Sequence, residues 1–151
     1  MGRCVVTIQD VRTYTKDLPE YNFLSQGSEE STAELIDLCA EYAIEYFNHI
    51  APVTTFSIDD FPQKGLLMQG ICWQLAMSEM QNQVRNQVTY SAQGLTAGIN
   101  DKAQLYQQLA EMHKYNFLQG AKEYKQYLNI AQAWGGSASP YVAVNRGNFR
   151  T

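Results

Sequence analysis

Three long runs of apolar residues, spaced at three and four, dominate this sequence, and helix punctuation bounds them. In the first, Leu35, Leu38, Cys39, Tyr42, Tyr46, Phe47 and Ile50 form one stripe on a helix of roughly residues 32–50. Ser31 with Glu34 three residues later reads as its capping box, with Glu29 and Glu30 beside the positive helix end. Pro52 stops it. In the second run Asp59 or Asp60 can cap, and Pro62 is tolerated in the first turn. Leu66, Leu67, Gly70, Ile71, Trp73, Leu75, Ala76, Met77 and Met80 then make a helix that is apolar on more than one side, as a central helix of a bundle is. The third run starts at Asn100 or Asp101 and holds Leu105, Leu109, Met112, Asn116, Phe117, Ala121, Tyr124, Leu128 and Ala131 at helical spacing, to about Trp134. That is roughly 30 residues, or about 45 Å, so it must overhang a small domain. Gly120 inside it marks a close contact or a bend, and Gly135-Gly136 ends it.

Shorter elements surround these runs. Thr7 with Asp10 resembles a capping box for a short helix from Ile8 to about Thr13, broken at Asp17-Leu18-Pro19-Glu20. After Arg85-Asn86 the pattern changes to Val88, Tyr90 and Leu95 around Ser91-Ala92-Gln93-Gly94, which suggests a β-like hairpin projecting from the helices. Residues 136–151 hold Pro140, a β-friendly Tyr141-Val142-Ala143-Val144, and Arg146 and Arg150 with no acid, so they read as an extended C-terminal arm beside a helical domain of residues 1–135, with a disordered tail as the alternative. The expected fold is all-α: a bundle of about three long helices with the hairpin projection and the arm.

Composition narrows the function. Hydrophobic residues make up 45% of the 151, enough for a core, while charged residues are only 17% and amides and hydroxyls make up the polar balance. With ten tyrosines, such a surface suits a protein packed against neighbours. A net charge of −4 argues against a non-specific nucleic-acid binder, though not against a pore wall that DNA slides past. Cys4, Cys39 and Cys72 are far apart and odd in number, which makes no disulfide framework; Cys39 and Cys72 fall on apolar helical faces and read as reduced, buried thiols in a cytoplasmic setting. The opening residues lack a signal-peptide core, Val6 departs from the myristoylation pattern, and no run approaches a membrane span.

Catalytic and cofactor motifs are missing from the pattern. His49 and His113 have no Cys or carboxylate at metal-ligand spacing, and His113 falls on the polar flank of the third helix. No nucleophile elbow, P-loop or dinucleotide fingerprint is present. The acidic pairs Glu29-Glu30 and Asp59-Asp60 precede helices, where they serve the dipole. The methionines fall on helical faces, as core residues do. An enzyme would instead need a pocket where at least two titratable groups converge with shifted pKa values.

What remains resembles the head–tail adaptor (connector, head-completion) proteins of tailed bacteriophages. Asp10-Val11-Arg12 through Leu18-Pro19-Glu20-Tyr21-Asn22 is similar to the family's opening, and Phe47-Asn48 with Pro52 to the end of its first long helix. Arg85-Asn86-Gln87-Val88-Thr89-Tyr90-Ser91 with Gly94 resembles its mid-domain segment. Leu128-Asn129, Trp134-Gly135 and Ser139-Pro140-Tyr141 resemble the exit of the last helix into the tail. Ala92-Gln93-Gly94 departs from the family's Gly-Gly turn. The resemblance implies a structural virion protein of the neck, assembled in the host cytoplasm, with no catalysis and no cofactor. It would form a ring, commonly a dodecamer, under the portal protein, extend the channel for double-stranded DNA, and present a surface to the next neck or tail protein. Tyr141, Val142, Val144, Arg146, Phe149 and Arg150 would bind the portal as an added strand, and Arg85, Asn86, Tyr90, Ser91 and Gly94 would form the projecting loop or ring interface. The alternatives are another helical neck component or a small cytoplasmic helical binding or regulatory module.

Overall fold

The structure is a computed structural model that describes residues 6–22, 28–85, 90–92, 95–97 and 102–135. It is a helical bundle: α1 (Ile8–Thr15), α2 (Ala33–His49), α3 (Lys64–Arg85) and α4 (Lys102–Gly135). Tyr90–Ala92 (β1) and Leu95–Ala97 (β2) pair antiparallel, Tyr90 opposite Ala97 and Ser91 opposite Thr96. Their flanks and the turn between them lie outside the described residues, as do Asn86, Gly94 and all of the arm from Gly136.

Helix starts follow local chemistry, with two corrections to the sequence reading. At α1 the capping box forms as expected: Asp10 N–H donates to Thr7 Oγ1, and Thr7 N–H donates back to Asp10 Oδ2 at 2.9 Å. At α2 the cap is Thr32, whose hydroxyl accepts from Leu35 N–H, and not Ser31. Ser31 is engaged elsewhere: its N–H donates to Asp17 Oδ2 and its carbonyl accepts from Arg12. Asp60 does not cap α3, which begins at Lys64; its carboxylate closes the preceding turn on the N–H and hydroxyl of Ser57.

α3 is the central helix, packed by α4 along one side and by α2 along another. Gly70 makes that sandwich possible. A methyl group there would lie 2.8 Å from both the Ala43 Cβ of α2 and the Phe117 ring of α4. Gly120 is likewise a contact point, facing Leu66. Around this seam Phe47, Phe61, Phe117, Leu67 and Ile71 are almost fully buried, and Phe47 packs edge-on to Phe61 at 4.8 Å. Cys39 and Cys72 are buried, as expected, and burial pushes their thiols up to about 11 and about 12.

The stripe expected on the first long helix splits in two. Ile36, Cys39, Ala40, Ala43, Ile44 and Phe47 are buried, while Leu38, Tyr42 and Tyr46 form a second, exposed row. α4 splits in the same way. It turns Ala103, Ala110, His113, Phe117, Ala121 and Lys125 inward and leaves Leu105, Leu109 and Met112 exposed. Both residues that break the apolar rule on the inner row are polar, and both are held. Lys125 is 1% exposed, and its ammonium donates to the Pro52 carbonyl (2.8 Å) and Thr54 Oγ1 (2.6 Å) while lying 4.5 Å over the Phe47 ring. It thereby pins the connection after α2 onto α4. Burial lowers its pKa.

Candidate interaction surfaces

α4 buries Phe117 but leaves several other large apolar side chains on its outside. At about 100° per residue, Leu105, Leu109, Met112, Tyr127 and Ile130 fall within about 60° of one another, roughly a third of a turn from the buried Ala110, Phe117 and Ala121. Leu105, Tyr127 and Ile130 are each at least 60% exposed. Past Lys125 no residue through Ala133 is buried, so the last two turns overhang the bundle as the length predicts. On this face Leu105, Leu109 and Met112 form one apolar patch and Tyr127 and Ile130 a second, separated by the exposed Asn116, Gln119 and Glu123, and neither patch has a covering helix among the described residues.

On α2 the row Leu38, Tyr42 and Tyr46 lies beside an acidic row, Glu34, Asp37, Glu41 and Glu45, that is exposed throughout. Tyr46 is anchored at its inner edge. Its ring packs edge-on to Trp73 at 5.3 Å, and Trp73 in turn meets Phe117 at 6.0 Å, with the Lys114 ammonium 5.5 Å above the indole.

A third feature was not legible in the sequence. Between α1, the loop before α2, α3 and α4 lies a cleft of about 320 Å³ lined by Tyr14, Lys16, Asp17, Glu30, Leu75, Glu79, Tyr106, Leu109 and His113, among others. Its wall is braced by Gln69, whose side-chain amide donates to the Tyr14 hydroxyl (3.0 Å) and whose carbonyl lies 2.7 Å from His113 Nδ1. His113 is therefore not on a polar flank. It is 7% exposed and faces α3, because Gln69 there offers a partner, and burial lowers its pKa toward the neutral imidazole.

Asp17 forms one end of the cleft. Burial pushes its carboxyl up, but the N–H groups of Glu30 (2.7 Å) and Ser31 (2.8 Å), the Asn22 amide and the Arg12 charge outweigh this and hold it below the usual carboxylate range. Both its oxygens thus hold the loop to the start of α2. Tyr106 is raised by burial and by the nearby charges of Glu79 and Glu30. The cleft does gather titratable groups with shifted pKa values. The Asp17 carboxylate is engaged by amides, and the Cys72 thiol and the Tyr106 phenol are raised chiefly by burial.

Of the residues singled out from the sequence, Arg85 is the exposed end of α3, and Tyr90 and Ser91 lie on β1. Asn86, Gly94, Tyr141, Val142, Val144, Arg146, Phe149 and Arg150 lie outside the described residues. Among the described residues no group of His, Cys, Asp and Glu is placed to hold a metal, and no helix is long and apolar enough to cross a membrane. Compared with known proteins, the chain significantly matches no family model, no curated sequence and no solved structure.

Proposed function

We propose that this chain is a structural subunit that works by self-association: a head–tail adaptor of a phage neck, forming a ring under the portal protein. The observation that carries the reading is the outward face of α4, where Leu105, Leu109, Met112, Tyr127 and Ile130 are exposed in two patches. A lone helical domain gains nothing by keeping so many large apolar residues of one helix in water. In a ring each subunit offers one face to the next, head to tail, and such patches are covered in every subunit. The acidic and Tyr-bearing side of α2 is a second face available to a neighbour or to the next neck or tail protein.

In this reading the lobe from Arg85 and Asn86 through Tyr90, Ser91 and Gly94 projects toward a neighbour. The arm, residues 136–151, adds to the portal through Tyr141, Val142, Val144 and Phe149, with Arg146 and Arg150 on acidic partners. DNA passes through the channel without sequence-specific contact, and neither catalysis nor a cofactor takes part.

Native mass spectrometry tests the proposal, with the full chain alone and mixed with portal rings encoded beside its gene. Addition in a fixed ratio of about one copy per portal subunit supports it, and loss of addition on deleting residues 136–151 supports the arm. No association at any ratio overturns the adaptor role. The cleft favours a second reading, a small helical binding module; a monomer or dimer that ignores the portal is its signature.

A further inference from the structure

The cleft between α1, α3 and α4 has apolar lining and, besides Lys16 and the hydrogen-bonded Asp17, two carboxylates, Glu30 and Glu79. Leu75 and Leu109 supply apolar lining, Tyr106 is half-buried among them, and Glu30 and Glu79 stand close enough to act on its phenol. Glu79 accepts from the neutral amides of Gln83 and Asn82. Among the described residues neither carboxylate is in an ion pair, the two bridges being Arg12–Glu29 and Lys64–Asp10. The Lys16 ammonium at the rim lies over the Tyr21 ring, 5.5 Å from its centre. An aromatic face, an apolar floor and two carboxylates match a guanidinium on an aliphatic stem: the stem covers the floor, the planar cation lies on the ring, and its donors meet the carboxylates.

One segment of this chain has the complementary chemistry. Residues 136–151 carry Arg146 and Arg150 and no Asp or Glu. We infer that the cleft is a seat for Arg150 of the chain's own segment. Along α4 the cleft lies about 33–44 Å from Gly135, while up to about 40 Å of chain leads from Gly135 to Arg146 and about 54 Å to Arg150. Arg146 arrives only with nearly every intervening residue fully extended, whereas Arg150 reaches with slack, and seating within one chain avoids the cost of association. Seating needs no portal and stands apart from the adaptor reading; where both hold, the arm leaves the cleft when a portal takes it.

A labelled peptide of residues 136–151 is titrated into the full chain carrying Arg146→Gln and Arg150→Gln, whose own arm cannot compete, and anisotropy is read. Saturable binding is expected. Replacing Glu30 and Glu79 together by Gln should weaken it about tenfold, as should the same two arginine changes in the peptide, for two partly exposed ion pairs. Unchanged helical circular dichroism keeps the cleft variant interpretable, since both glutamates are at the rim. Absent binding, or binding indifferent to the glutamates, overturns the seat. Sedimentation of the unaltered chain decides the source of the arginine: association that rises with concentration and is lost in the glutamate variant overturns seating within one chain, and a chain that stays monomeric, or associates equally in the glutamate variant, supports it.

Discussion

Gly65, Gly70 and Gly120 of the long helices offer one substitution with three different outcomes. Gly70→Ala puts a methyl group 2.8 Å from the Ala43 Cβ on one side and 2.8 Å from the Phe117 Cε2 on the other. Neither neighbour can yield without moving a helix, because Phe117 and Ala43 are themselves fully buried. Overpacking of this kind costs about 1–3 kcal/mol, and alanine's helix propensity returns up to about 1 kcal/mol. The net expectation is a loss of about 1–2 kcal/mol, or about 2–8 °C in Tm for a domain of this size. Gly65→Ala meets nothing within 4 Å and keeps only the propensity gain, up to about 1 kcal/mol. Gly120→Ala touches the Leu66 Cδ1 at 2.8 Å, but the next atom is 4.0 Å away, so a small turn of the leucine absorbs the contact and the two effects nearly cancel. Urea unfolding followed by helical circular dichroism measures all three. The reasoning requires the order Gly65→Ala above Gly120→Ala above Gly70→Ala. A Gly70→Ala variant as stable as the parent would mean that α2 and α4 do not close on α3 at this point.

Two further predictions use the polar groups of the interior. Lys125→Ala removes two hydrogen bonds and the ammonium held over Phe47 and leaves a cavity at a buried position, which should cost about 2–4 kcal/mol; protease nicking in the 50–61 connection should rise with it, and an unchanged cleavage rate would refute the pin. His113 has a folded pKa below its ordinary 6.5, so the unfolded chain binds the proton first. Its contribution to stability is full above pH 6.5 and is lost as pH falls through the folded value; a His113→Gln variant should lose less stability than the parent between pH 7 and 5 in the same urea experiment.

Helix content was legible because it rests on local information. Periodicity and proline or glycine stops located α2, α3 and α4, and the Thr7–Asp10 box located α1. Which part of a stripe faces inward was not legible. Leu38, Tyr42 and Tyr46 share the spacing of Cys39 and Phe47, and only the packing of α3 decides that Ala40, Ala43 and Ile44 are inside instead. Propensity misplaced the cap by one residue because Ser31 is recruited by Asp17, a partner 14 residues earlier. Lys125 and His113 look like surface residues until their partners are known, and those partners stand 73 and 44 residues away. The cleft escaped for the same reason: its walls come from four separate parts of the chain.

The exposed apolar residues of α4 are the strongest physical argument for the proposed partner. On its inner row Phe117 fills the core, while Ala103, Ala110 and Ala121 let the helix approach α3 closely, and Gly70 and Gly120 shorten the approach further. Close approach gains dispersion contact but removes little apolar area at the alanines. On the other face Leu105, Leu109, Met112, Tyr127 and Ile130 stay largely in water. Covering even about 300 Å² of such surface is worth about 7 kcal/mol before the cost of association. A repeating assembly gathers that gain once per subunit, and each added subunit meets a neighbour that is already ordered. A free monomer gathers none of it, and this difference is what supports the proposal of a neighbouring subunit over that face.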